Sequence, residues 1–187
     1  MIKSVHYGIP VVIKTKEQLD ERKIIEELKA QSKTSGYVAH KEWGYKDVKP
    51  RVMVEEFLED DSDNNVLQDY KFWCFNGVPK AMYLTVKDKE VYENFYDMDF
   101  NPLDINHGFP RRKPEFTKPV NFDKMKEMAA RLSEGVPFVR VDFYNIKGQI
   151  YFGEFTFFDW GGAHPFVTYE QDLKIGEWLQ LPSQKRV

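Results

Sequence analysis

The chain has 187 residues and a formal net charge of −3, and 42% of its residues are hydrophobic and 16% aromatic. This composition is sufficient for a packed core in one domain or two small lobes. The small net charge provides no bulk attraction for nucleic acid. The single cysteine, Cys74, excludes an internal disulfide and a cysteine metal cluster. No apolar run approaches the roughly 20 residues of a membrane span, and no signal peptide is apparent, so we expect a cytoplasmic protein.

The N-terminal part predicts a strand, a tight turn and a second strand over residues 2–14. Residues 19–31 combine apolar positions with charges, which predicts a surface helix. Asp20 is a suitable cap for this helix, and Thr15 with Gln18 offers an earlier alternative start.

The middle of the chain is predominantly β in pattern. Its predicted elements are a loop over 37–49, a strand over 50–58, a polar turn over 59–65, strands over 69–76 and 78–86, and a further strand over 91–96. The dipeptide Asn76-Gly77 between two apolar runs is a strong hairpin signal. Cys74 lies within the aromatic strand before this turn, which favours a buried, inert thiol.

The C-terminal half alternates loops with helices around one hairpin. Residues 97–119 are rich in Pro, Asn, Asp and basic residues and predict a long loop. Asn121 is a suitable cap for a helix over 122–133. A last helix is predicted over 169–179, with Thr168 and Gln171 as a capping box.

Residues 137–162 carry the strongest pattern in the chain, two apolar runs that flank a turn. With a three-residue loop at 147–149, Asp142 lies opposite Glu154, and Arg140 lies opposite Thr156. The β-carbons of such opposed carboxylates lie roughly 5 Å apart, so a cation is needed between them. Arg140 is one candidate, and a hard divalent ion is the other.

Two alternatives to this hairpin site stay open. A two-residue loop places the carboxylates on opposite faces and removes the argument for a shared cation. A hairpin with a solvated charged face requires no ion at all. The order of elements, a β-hairpin, a helix, several antiparallel strands, a helix, a hairpin and a helix, predicts an α+β fold with helices packed on a largely antiparallel sheet.

Four segments carry a resemblance to a known family: KPRVMVEEFL, DYKFWCFNGVPKAMYL, NFYDMDFNPL and VRVDFYNIKGQIYFGEFTF. They resemble the ATP-grasp superfamily, and most closely the TupA-like family associated with teichuronopeptide and surface-polysaccharide biosynthesis. The resemblance extends from about residue 2 to residue 182. It implies a single ATP-grasp-like domain over 1–187, with a first nucleotide-binding lobe over about 1–50 and a second lobe, with a metal site, over about 51–182.

The resemblance also implies roles for residues in the second lobe. Asp142 and Glu154 match the acidic magnesium ligands, and Thr156 stands where many relatives carry an Asn ligand. Arg140 and Lys71 match the basic residues that act on the phosphates, with Arg140 facing either phosphate or the acyl intermediate. A cross-strand ion pair is the plain alternative for Lys71.

In the first lobe the resemblance implies that Lys3 and Lys14 approach the ATP phosphates. The strand-to-hinge segment of Glu55, Glu56, Phe57 and Leu58 then holds adenine, and one of the two glutamates accepts from the exocyclic amine. Alternation of side chains allows only one of these glutamates to point inward. An exposed lysine is the simpler explanation for Lys14, and a surface acid is the simpler explanation for either glutamate.

The activity implied by the resemblance is an ATP- and Mg²⁺-dependent, ADP-forming ligase. Such enzymes phosphorylate a carboxylate to an acyl phosphate, which a nucleophile then displaces; the substrate expected here is a carboxylated glycan or peptide precursor. The chain departs from the family at residues 6–10, where one glycine, Gly8, replaces a glycine-rich turn. The family segment before the first strand is also missing, which leaves two alternatives open: a shortened paralogue, or a chain for which a partner chain or assembly complex supplies the segment.

Two other functions remain as alternatives. The altered turn favours a catalytically silent nucleotide-binding or scaffold module in a polysaccharide-assembly complex. The acidic pair Asp97 and Asp99 imitates the metal motif of a glycosyltransferase.

Overall fold

The computed structural model describes residues 1–5, 8–58, 67–87 and 90–182. The chain divides into two compact units, Met1–Glu59 and Asp60–Val187. The helices and strands of the described part are β1 (Ile2–Ser4), α1 (Glu21–Gln31), α2 (Gly36–His40), β2 (Val52–Val54), β3 (Asp69–Phe75), β4 (Val78–Lys87), β5 (Val91–Tyr96), α3 (Phe122–Leu132), β6 (Phe138–Ile146), β7 (Gln149–Thr156) and α4 (Tyr169–Gly176). The predicted polar turn over 59–65, like residues 6 and 7, lies outside the described residues.

In the first unit, β1 pairs antiparallel with β2, with Ile2 opposite Val54. The predicted N-terminal hairpin is reduced to a single bridge, in which Ile2 and Val11 exchange backbone hydrogen bonds of 2.8 and 2.7 Å. Pro10 precedes Val11 and has no backbone N–H, so the ladder ends there. The predicted strand over 50–58 is likewise shortened to the three residues of β2, which are the ones that pair with β1.

The predicted surface helix is confirmed as α1. Asp20 is its cap, since the Asp20 carboxylate accepts a 3.1 Å hydrogen bond from the backbone N–H of Lys23. The loop prediction over 37–49 is wrong, because Ser35 caps the short helix α2 and a single 3₁₀ turn follows at Trp43–Tyr45. Helices of five and three residues are too short to produce a hydrophobic period, so the pattern missed them.

The second unit is built on a five-stranded antiparallel sheet in the order β5-β4-β3-β6-β7. The predicted hairpin between β3 and β4 is confirmed. Asn76 and Gly77 have φ values of 51° and 80°, the left-handed pair that a two-residue hairpin loop requires. The predicted loop over 97–119 is also confirmed, and its only ladder contact is an isolated bridge between Tyr96 and Pro102.

Helix α3 packs on one face of this sheet and forms the main core. The fully buried residues of that core include Phe72, Met82, Phe122, Met125 and Phe143. Cys74 lies in the same core, and burial raises the pKa of its thiol to about 11, which agrees with the predicted inert cysteine.

The two helix caps predicted in the second unit have different outcomes. Asn121 precedes α3, but its side chain donates to the carbonyl of Gly148 at 2.6 Å and therefore ties the helix to the β6–β7 turn. The Thr168 hydroxyl accepts from the backbone N–H of Gln171 at 3.3 Å and caps α4 as predicted. The Gln171 side chain donates to the Asp104 carbonyl at 3.1 Å, so it anchors a loop and does not complete the capping box.

The opposite face of the sheet is divided between an aromatic cluster and a polar surface. The aromatic cluster contains Trp73, Tyr83, Phe95 and Ile175 of α4. Beside it, the same face of β3 and β6 presents Lys71, Arg140 and Asp142, because side chains two residues apart on a strand share a face. The predicted α+β fold with a largely antiparallel sheet is confirmed, and its polar surface is the candidate functional site.

Candidate functional site

The β6–β7 hairpin has the predicted pairing of Arg140 with Thr156, but its loop differs from the prediction. Its loop has two residues, Lys147 and Gly148, with φ values of 51° and 80°, so the predicted three-residue loop is wrong. An extra residue enters β7 between Phe152, opposite Phe143, and Phe155, opposite Val141. This β-bulge shifts the pairing of β7 with β6 by one residue, so that Arg140 lies opposite Thr156 as predicted. The two-residue alternative therefore does not separate the predicted site residues.

Gly153 is the bulge residue that allows this close pairing. A β-carbon built on Gly153 lies 3.1 Å from the Asp142 carbonyl oxygen, which is backbone and cannot rotate away. We therefore expect Gly153→Ala to lower the free energy of unfolding by about 1 to 3 kcal/mol, as overpacking does elsewhere. Urea denaturation measures the change.

Gly176 in α4 is the matched control for this substitution. A β-carbon on Gly176 meets no atom within 4 Å, and alanine is the better helix former, so Gly176→Ala is expected to be neutral or stabilising by up to about 1 kcal/mol. Equal effects of the two alanine substitutions would contradict the crowding at Asp142.

Arg140 is the centre of the site. Its Nε and Nη2 donate to the two oxygens of Asp142 at 2.8 and 2.7 Å, a bidentate pair. The same Nη2 donates to Glu154 Oε1 at 3.0 Å, and Thr156 Oγ1 donates to that oxygen at 3.0 Å. The cation between the predicted carboxylates is thus Arg140, the first of the two candidates.

Lys71 and Asp69 extend the cluster along β3. The ammonium of Lys71 pairs with the Asp69 carboxylate and lies 3.6 Å from Asp142 Oδ2. The structure therefore brings together five of the predicted residues, Lys71, Arg140, Asp142, Glu154 and Thr156, and the cross-strand ion pair that was the plain alternative for Lys71 is present.

Asp159 is a member of the site that the sequence analysis missed. Its carboxylate is 8% exposed and accepts from Arg140 Nη1, from Trp73 Nε1 at 2.6 Å and from the Tyr83 hydroxyl at 3.0 Å. Asp159 follows β7 in a short turn, where strand alternation no longer applies, so periodicity gives no signal for it. Its only sequence signal is an acid five residues after Glu154, before a Gly-Gly pair.

Burial and charge set the protonation of these groups. Burial raises the pKa of Asp142 to about 6, against the opposing effect of the hydrogen bonds and charge of Arg140. Burial also raises the pKa of Tyr83 well above its ordinary value, so this phenol is a neutral donor to Asp159. Although burial disfavours the charge of Arg140, the hydrogen bonds and charge of Asp142 and the charge of Asp159 raise its pKa, and the guanidinium stays cationic.

The donor set at this site fits a magnesium ion that keeps water and phosphate ligands. Among residues 1–5, 8–58, 67–87 and 90–182, no three His, Cys, Asp or Glu side chains are grouped to hold a metal ion. Magnesium is usually bound by one or two carboxylates, and Asp142 and Glu154 supply hard oxygen donors of that kind. Four carboxylates (Asp69, Asp142, Glu154 and Asp159) surround two cations, Lys71 and Arg140, so their formal charge of −2 attracts a divalent cation.

The candidate residues of the first unit form two pairs. Lys3 makes a 3.0 Å ion pair with Glu55, and the Lys14 ammonium lies 5.2 Å from the centre of the Phe57 ring. Glu56 is exposed, whereas Glu55 is half-buried, which agrees with only one of the two glutamates pointing inward. Leu58 is half-buried as well.

The acidic pair proposed for a glycosyltransferase has a local structural role. Asp97 accepts hydrogen bonds from the backbone N–H groups of Asp99 and Asn101 at 2.9 and 2.8 Å, and from the Asn101 side chain at 3.0 Å. Burial raises the pKa of Asp97, but these bonds outweigh that effect and lower it. Asp97 therefore shapes the turn after β5.

Comparison with known proteins identifies the family of the chain. Within the described part of the chain, no helix has both the length and the apolar character needed to cross a membrane. No curated protein and no solved structure matches the chain significantly. The family model described as TupA-like ATPgrasp matches residues 1–180. Since this match covers nearly all of the 187 residues, the α+β fold is ATP-grasp-like and the chain belongs to the TupA-like ATP-grasp family.

Proposed function

We propose that the protein is an ATP- and Mg²⁺-dependent, ADP-forming ligase that activates a carboxylate as an acyl phosphate. The observation that carries this proposal is the clustering of Arg140, Asp142, Lys71 and Glu154 on one face of the sheet in a chain of the ATP-grasp family. These residues combine oxygen ligands for a hard cation with two cations for phosphate oxygens.

Each residue contributes a different interaction to this chemistry. Asp142 and Glu154 would hold the magnesium ion, with the Thr156 hydroxyl beside them as a weaker oxygen ligand. The bound ion would neutralise negative charge on the transferring phosphoryl group. The planar fork of Arg140 suits two oxygens of a phosphate or an acyl phosphate, and Lys71 supplies a compact positive charge next to it.

The residues of the first unit are proposed to contact the nucleotide. In this proposal Lys3 and Lys14 contact phosphates, and the segment of Glu55, Glu56, Phe57 and Leu58 contacts adenine. The half-buried position of Glu55 supports it over Glu56 as the acceptor for the adenine amine.

The proposed setting is cytoplasmic surface-polysaccharide or teichuronopeptide biosynthesis, with a carboxylated glycan or peptide precursor as the substrate. The family assignment supports this setting.

Calorimetric titration with Mg-ATP tests the proposal. We expect the wild type to bind Mg-ATP, and the variant Asp142→Asn/Glu154→Gln to bind at least about tenfold more weakly, since each change removes a charged ligand. The control Asp104→Asn/Glu134→Gln removes the same charge at two exposed positions and should bind like the wild type. If the wild type binds no Mg-ATP, the ligase proposal is abandoned.

An ADP-release assay, added to the titration, separates the catalytically silent module from the enzyme. The silent module is favoured by one observation, namely that both oxygens of Asp142 are held by Arg140. Nucleotide binding without ADP release, when candidate carboxylates and amines are offered, would support the silent module. Turnover by the isolated chain would exclude it.

A further inference from the structure

Arg140 divides its donors between two groups of acceptors. Nε and Nη2 point to Asp142 and Glu154, whereas Nη1 points to Asp159 and to the Tyr83 hydroxyl at 3.2 Å. The acceptors differ in surroundings, since Glu154 is 56% exposed, whereas Asp142 and Asp159 are 2% and 8% exposed. The guanidinium therefore has one attachment at Asp142 and the solvent-facing Glu154, and a second one at Asp159 beside Trp73 and Tyr83.

The proposed magnesium ligands use the same oxygens that Arg140 occupies. Both Asp142 oxygens and Glu154 Oε1 accept from the guanidinium. When these carboxylates turn to a metal, Arg140 loses three of its hydrogen bonds. A buried cation without a partner is strongly unfavourable, so a remaining counter-charge is required.

The Asp159 carboxylate is positioned to be that counter-charge, since it accepts a hydrogen bond from Arg140 Nη1. Trp73 Nε1 and the Tyr83 hydroxyl also donate to its carboxylate, which fixes the oxygens on the sheet face independently of Asp142 and Glu154. The backbone reverses immediately after Asp159, where Trp160 and Gly161 have φ values of 50° and 67° and the Gly161 N–H donates to the Phe158 carbonyl at 3.0 Å. This turn holds Asp159 over the sheet at the end of β7.

We infer that Asp159 is a positioning residue that retains Arg140 through Nη1 when Asp142 and Glu154 bind the metal. Nε and Nη2 are then free to bind anionic oxygens of the phosphate or the acyl phosphate. This inference rests on the proposed function for the metal step, whereas the attachment of Arg140 to Asp159 is a property of the nucleotide-free chain.

A double-mutant cycle on the nucleotide-free protein tests the retention. The free energy of unfolding is measured in urea for Arg140→Gln, Asp159→Asn and their combination, once in the wild type and once in Asp142→Asn/Glu154→Gln. In the second background Asp159 is the remaining carboxylate of the three, so the coupling with Arg140 should persist, at about tenfold or more in the unfolding equilibrium constant.

The cycle has a clear contrary outcome. A coupling below about twofold in the second background would show that Arg140 leaves Asp159 when it loses the other two carboxylates, and the inference would be overturned. If Arg140→Gln does not fold, Arg140→Lys replaces it, because lysine keeps the charge but not the fork.

Titration with Mg-ATP then tests the metal step. Asp159→Asn should weaken Mg-ATP binding by about tenfold, because Arg140 then competes with the metal for Asp142 and Glu154. Asp159→Glu should restore part of the loss, and Asp104→Asn, at an exposed position, should have no effect. Wild-type affinity in Asp159→Asn would overturn this step. Absence of Mg-ATP binding by the wild type would overturn the proposed function, and the nucleotide-free cycle alone would decide the role of Asp159.

Discussion

Replacing Arg140 with Gln is expected to lower the free energy of unfolding by about 3 to 5 kcal/mol, the usual cost when one partner of a buried ion pair is removed. The variant leaves Asp142, which is 2% exposed, and Asp159 without the guanidinium that holds both. Urea denaturation followed by tryptophan fluorescence measures the loss, because Trp73, Trp160 and Trp178 all lie in the second unit.

Two further variants identify the physical cause of this loss. Neutralising both acids in Arg140→Gln/Asp142→Asn/Asp159→Asn should recover at least half of the lost stability, since no uncompensated charge is then buried. The control Arg131→Gln removes the same charge from an exposed position of α3 and should change the stability by no more than about 0.5 kcal/mol. Failure of the triple variant to recover would mean that Arg140 stabilises the chain by packing and not by charge.

Removal of the Phe72 ring is expected to have an effect of the same size, by a different mechanism. Phe72 is fully buried, and its ring centre lies 5.7 Å from that of Phe122 and 5.9 Å from that of Phe143. Phe72→Ala removes the contact between α3 and the middle of the sheet and leaves a cavity, which costs about 3 to 5 kcal/mol. The urea concentration at the midpoint of unfolding should fall, while the slope of the free energy of unfolding against urea concentration stays unchanged.

Phe157 supplies the matched control for the cavity. It lies just beyond β7 and is 53% exposed, so Phe157→Ala removes the same ring from a position that is not buried. We expect a change within about 0.5 kcal/mol. A loss at Phe157 equal to that at Phe72 would contradict the assignment of the core to the α3 face.

Local signals predicted most of the second unit correctly. The turn at Asn76-Gly77 requires left-handed backbone, which Asn and Gly adopt at low cost, so the hairpin can be recognised from two residues. The helix predicted over 122–133 is likewise a property of one short segment, and Met125 and Ala129 on it are buried. In the first unit the signals failed where elements were only three to five residues long.

Most members of the candidate site were predictable, but Asp159 and the geometry were not. Alternation on β6 places Arg140 and Asp142 on one face, the predicted hairpin pairing adds Glu154, and the resemblance adds Lys71. The route to the pairing was not predictable, because a two-residue loop and a bulge at Gly153 together give the same register as the predicted three-residue loop. The predicted strand pairing required a cation between Asp142 and Glu154 but did not decide between Arg140 and a divalent ion. In the structure, Arg140 links the two carboxylates.

The sequence by itself determined the strand pattern of the second unit, the turn at Asn76-Gly77 and the acidic and basic residues of β3, β6 and β7, because each depends on backbone preferences or side-chain alternation over a few residues. Only the tertiary structure decided that Asp159 returns to the sheet face and joins Trp73 and Tyr83, 86 and 76 residues away along the chain. Contacts of that kind depend on the path of the backbone after β7 and on desolvation within the packed cluster. No local pattern encodes either of these.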